Sequence, residues 1–170
     1  MTVFSAISPE KALVKTLLSS GYYARHCLDQ HDYLPWLNVT AVLAAQQAAA
    51  LALSAVGDLI PEQSGATEIL LRATSPARLP PPYTLNLSAT NRRAFDGLVA
   101  ARNAFMHPRA RPWHMTALTL SRGLPVVCDA VRHLVIIQPA VPDMIAPSDA
   151  AIIETQMADL DALAAFLLAD

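Results

Sequence analysis

The run YLPWLNVTAVLAAQQAAALALSAVG, from Tyr33 to Gly57, is the longest charge-free stretch of the chain, and its reading decides the fold. On length alone it could span a bilayer. Pro35, Asn38, Thr40, the pair Gln46 and Gln47 and the many alanines argue against residence in lipid and for a buried helix from near Asn38 to Leu59. A helix with so little polar surface needs other helices packed around it. The expected fold class is therefore all-α: an up-and-down bundle of about five helices in a single domain covering residues 1–170.

The flanking sequence supplies those helices. Ser8, Pro9 and Glu10 form a helix start, with a capping hydroxyl, proline in the first turn and an acid at the positive dipole end. That helix carries Leu13, Val14, Leu17 and Leu18 on one face, with a break or bend at Gly21 before it resumes to about Gln30. A short helical piece is expected over Ala66–Ala73, and a loop over Ser75–Ser88, where Pro80, Pro81 and Pro82 favour an extended chain. A helix from Ser88 or Thr90 to His107 follows, halted by Pro108. Ser121 can cap a further helix to Ile137, and Ser148 with Asp149 opens a last one to Leu168.

Composition narrows the functional classes. Of the 170 residues, 54% are hydrophobic and only 15% charged, which favours an apolar surface closed by a second subunit in a homodimer. The first residues, Met1 to Pro9, lack the basic and apolar regions of a secretory signal, and Cys27 and Cys128 share no metal or redox spacing. The expectation is a cytoplasmic, reduced protein with no membrane association. The net charge of −2 hides a strong asymmetry. Arg92, Arg93, Arg102, Arg109, Arg111 and Arg122 lie between Asn91 and Arg122 with Asp96 as the only acid, whereas the chain from Asp143 onward carries acids alone. Either these segments neutralise one another across the fold, or the arginines face a polyanion such as RNA.

The helix ending at His107 is the most chemically suggestive element. At 100° per residue, Phe95, Leu98, Val99, Phe105 and Met106 share one apolar arc, with Arg102 in its middle and Asp96, Asn103 and His107 along its flank. An unpaired arginine inside a core is costly. It calls for an internal carboxylate, a subunit interface or a cleft that receives an anion. Arginine forks onto phosphate oxygens, and histidine takes or gives a proton near neutral pH. Spacing alone does not single this segment out, since Arg25 with His31 and Arg109 with His114 are similarly placed.

Leu98-Val99-Ala100-Ala101-Arg102-Asn103-Ala104-Phe105-Met106-His107-Pro108 resembles the signature of the HEPN superfamily: arginine, a polar residue, three variable residues, then histidine. The resemblance implies a helical bundle and a metal-independent endoribonuclease of toxin–antitoxin or defence type. It implies Arg102 on the scissile phosphate, His107 handling protons and Asn103 orienting substrate or imidazole, at a site shared between two subunits. The alternative it implies is a catalytically inactive module that partners a nucleotidyltransferase or binds RNA or a nucleotide. An active toxin would also have an antitoxin partner. Arg109, Arg111, Trp113 and His114, just beyond the motif, are the expected substrate-binding residues, with Trp113 placed to contact a base. No zinc-type spacing, phosphate-binding glycine loop, serine nucleophile elbow or dinucleotide fingerprint is present, so neither a metal nor a cofactor is expected.

Overall fold

In the computed structural model, which describes residues 6–79, 85, 87–107 and 113–169, the chain is a bundle of six α-helices, with no strand among the described residues. They are α1 (Pro9–His26), α2 (Leu34–Ala55), α3 (Ala66–Ala73), α4 (Ala89–Met106), α5 (Ala117–Arg132) and α6 (Pro147–Ala169). A 3₁₀ turn over His31–Tyr33 leads into α2, and a π-helical turn over His133–Ile137 ends α5. The Pro80–Pro82 stretch with Tyr83, Pro108, and residues 109–112 lie outside the described residues.

The charge-free run is the central helix. Ala41, Ala44, Ala45, Ala48, Ala49 and Ala52 of α2 are fully buried, and α2 packs against α1, α3, α4 and α5. Small side chains let neighbouring backbones approach closely at interior packing density. Among the described residues, α2 is also the one helix long and apolar enough to cross a membrane, but the bundle covers most of it. A stripe of α2 at Trp36 and Leu43 stays open to solvent, 46% and 40% exposed.

Several boundaries differ from the sequence reading. The first helix does not break at Gly21; it runs unbroken and stops at His26. The glycine serves close packing instead: a Cβ there would lie 2.0 Å from Gln156 Oε1 on α6. The central helix starts at Leu34, with Pro35 in its first turn, where a missing N–H costs nothing. It ends at Ala55, and Gly57 takes the left-handed backbone, φ 75°, that turns the chain away. The fifth helix begins a turn before Ser121: Thr116 is the cap, its hydroxyl accepting from Thr119 N–H at 3.1 Å. Ser121 is buried and donates back to Leu118 O, so Pro125 lies inside the helix, where it removes one backbone bond.

Charge pairing follows the bundle rather than the sequence asymmetry. The acids of α6 are taken by Lys11 (to Asp149, 2.7 Å), by Arg25 (to Asp159) and by Arg132 (to Glu154, 2.9 Å, and Asp161, 2.7 Å). Arg72 and Arg78 share Asp58. None of these cations belongs to the Asn91–Arg122 segment. Its described arginines, Arg92, Arg93, Arg102 and Arg122, have no ion pair among the described residues.

Two outcomes test this packing. A Cβ at Gly123 would meet Leu98 side-chain atoms at 2.4–2.9 Å, so Gly123→Ala should lower stability by about 1–3 kcal/mol in urea unfolding, against the usual gain from Gly→Ala in a helix. Burial pushes the His133 pKa below its ordinary 6.5, so the folded state holds the neutral imidazole while the unfolded chain protonates first as pH falls. Its contribution is fully present above about pH 6.5 and is lost as pH drops through the lowered value. The urea midpoint should fall between neutral and mildly acidic pH more steeply in the wild type than in His133→Gln.

Candidate functional site around Arg102

The last two turns of α4 carry the motif. Ser88 caps the helix start, its hydroxyl accepting from Asn91 N–H at 3.1 Å. Phe95 and Leu98 then enter the core, and Val99 and Phe105 are only half-buried. Met106 is 48% exposed. The apolar arc thus leaves the core after Leu98, and Arg102 sits where it emerges. Asn103 and His107 are exposed on successive turns beside it. His107 is the C-cap, with φ −116° and ψ 76°, and its backbone N–H donates to Asn103 O at 3.0 Å. Departure from helical geometry at this residue is what a following proline imposes.

Arg102 is half-buried and its Nε is buried without a hydrogen-bond partner. Of the three arrangements that an arginine on an apolar arc allows, the internal carboxylate is missing among the described residues. Asp96, the nearest acid in sequence, instead accepts from Thr67 Oγ1 of α3 at 2.8 Å, more than a turn before the motif. With no counter-ion among the described residues, the arrangements left to this partly buried guanidinium are a subunit interface and a cleft that receives an anion.

The turn that bears Arg102 is held from two sides. Asn38, fully buried on α2, donates its Nδ2–H to Leu98 O at 3.1 Å. From the other side, Trp113 Nε1 donates to Ala101 O at 2.8 Å. The Trp113 ring meets Phe105 edge-on at 5.9 Å, and Phe105 meets Trp36 of α2 in the same way at 5.2 Å. These contacts seat Trp113 against the motif helix. His114 follows it and is exposed. The indole N–H of Trp113 is committed to α4, leaving only the ring for a base. Arg109 and Arg111 fall outside the described residues.

Asn38 and Trp36 were not among the expected site residues. The available signal was the amide itself: a single asparagine early in an alanine-rich buried helix has to find a partner. Which carbonyl it finds is set by how α2 and α4 cross. The two cysteines offer no nucleophile. Both are free and buried, and burial raises both thiol pKa values. His26, beside Cys27 in sequence, packs against the Tyr22 ring instead, with centroids 4.6 Å apart and the rings tilted by 52°.

Because Arg102 has no carboxylate partner among the described residues, Arg102→Met should leave unfolding stability within about 1 kcal/mol of wild type. A structural ion pair at this position would instead cost about 3–5 kcal/mol on losing its arginine. Compared with known proteins, the chain matches no family model, no curated protein and no solved structure.

Proposed function

We propose that the protein is a metal-independent endoribonuclease of HEPN type, acting as a homodimer in which two motif helices share one site. The observation that carries this reading is Arg102: a half-buried guanidinium without a carboxylate partner among the described residues, beside exposed Asn103 and His107. The reaction is transesterification. The ribose 2′-oxygen attacks the adjacent phosphorus as its proton passes to a base, the bond from phosphorus to the 5′-oxygen breaks, and an acid protonates that leaving oxygen. The products are a 2′,3′-cyclic phosphate and a 5′-hydroxyl. Arg102 neutralises the charge that develops on the phosphoryl oxygens, and Asn103 orients the substrate or the imidazole.

Base and acid are both required, and each chain brings one histidine to the motif. Two protomers related by a two-fold axis supply the pair. Exposed apolar side chains are available for such a contact: Trp36, whose ring meets Phe105 of the motif helix, Leu43 on the same stripe of α2, and Met106 on α4. Burying these side chains contributes roughly 25 cal/mol per Å² of apolar surface covered. The acids of α6 are paired with Lys11, Arg25 and Arg132, so the described arginines of the Asn91–Arg122 segment are left to meet a polyanion.

Purified protein should cleave single-stranded RNA in excess EDTA and leave 2′,3′-cyclic phosphate ends. A substrate with 2′-deoxyribose at the cleaved position should resist. Arg102→Ala and His107→Ala should each lower the rate by about 10²–10⁴-fold without loss of fold. RNA left intact by a protein that is dimeric in sedimentation overturns the nuclease. RNA or nucleotide binding without turnover, or a stable complex with a nucleotidyltransferase, would identify the inactive binding module instead.

A further inference from the structure

On the other side of α4 a groove of about 700 Å³ opens between α4 and α5, a size that suits a small ligand. Its lining includes Arg93 and Gly97 of α4, Arg122 and Pro125 of α5, and Leu168 near the end of α6. Arg93 precedes Arg102 by nine residues, roughly two and a half helical turns, so the two side chains leave α4 in opposite directions. The groove is distinct from the site described above.

Two features define its chemistry. First, Arg93 and Arg122 line the same cleft from facing helices, and neither has an ion pair among the described residues. Like charges that share a cleft repel, and an anion accessible to both relieves that repulsion. Two guanidinium forks are better matched by a dianionic phosphate with three free oxygens than by one carboxylate. Second, the cleft is bordered by apolar surface: Leu118 is 49% and Leu168 is 60% exposed, with Pro125 beside them. A bare inorganic anion leaves that surface in water, whereas an apolar substituent on the phosphate covers it.

We propose that this groove binds an organic phosphate monoester, its phosphate held by Arg93 and Arg122 and its apolar body lying on Leu118, Pro125 and Leu168. The inference is independent of the nuclease reading, since it uses other residues and a binding measurement.

Isothermal titration of the full chain with phenyl phosphate, octyl phosphate and inorganic phosphate tests it. At least one ester should bind with one-to-one stoichiometry, about tenfold or more tighter than inorganic phosphate. Preference between the two esters tells whether the body is a flat ring or an alkyl chain. Arg93→Ala and Arg122→Ala should each weaken the ester by about tenfold or more, while Arg92→Ala, outside this groove, should change it less than about twofold. Gly97→Leu blocks the groove without touching its charge: a Cβ there meets only Thr119 Cγ2, at an ordinary 3.5 Å. It should abolish binding with the helical circular dichroism intact. Absence of ester binding at millimolar concentration, equal affinity for inorganic phosphate, or binding that survives both arginine substitutions would overturn the proposal.

Discussion

The bundle depends on covering α2. This helix has no charged residue with which to face water, and its alanines bring little apolar area each, so stability comes from close approach on several sides at once. Every other helix except α6 packs directly on it, and α6 closes the outside by packing on α1 and α5. Close contact recurs between the outer helices: Gly21 of α1 passes against Gln156 of α6 and Gly123 of α5 against Leu98 of α4, at separations that a Cβ would close.

Covering α2 also builds the site around Arg102. A buried asparagine on a helix of this kind cannot go unpaired without cost, and Asn38 finds its acceptor at Leu98 O, one turn before Arg102. The aromatic chain from Trp36 through Phe105 to Trp113 continues the same α2–α4 contact outward. Core packing therefore fixes the backbone of the motif turn, while its polar side chains stand at the edge of the bundle. Where the cover of α2 stops, at Trp36 and Leu43, the protein keeps an apolar strip next to that edge.

Electrostatics divides the cations into two sets. Those of α1 and α5 that face α6 are consumed in ion pairs, and these hold α6 to the bundle from its first turn to Asp161. Surface pairs of this kind contribute little individually. The arginines of α4 and the first turns of α5 lack such partners among the described residues, and Arg93 and Arg102 leave α4 on opposite sides. One helix thereby contributes to two separate positive regions, Arg102 with the motif and Arg93 with the groove.

Much of this architecture is legible in the amino-acid sequence. Local rules locate the helices because they act over a few residues: proline and serine at the start of α1, the charge-free run of α2, and serine followed by amphipathic spacing in α4. They fail at Gly21, whose close neighbour Gln156 is remote in sequence, and at Ser121, where two hydroxyls five residues apart could each cap and burial of Ser121 in the fold leaves the cap to Thr116. The Arg–Asn–x₃–His spacing and the arginine on an apolar arc are properties of the sequence alone. That Arg102 lacks a carboxylate among the described residues, while the acids of α6 are spent on Lys11, Arg25 and Arg132, is decided by tertiary structure. Charge pairing is a matter of distances across the fold, and composition carries no record of them.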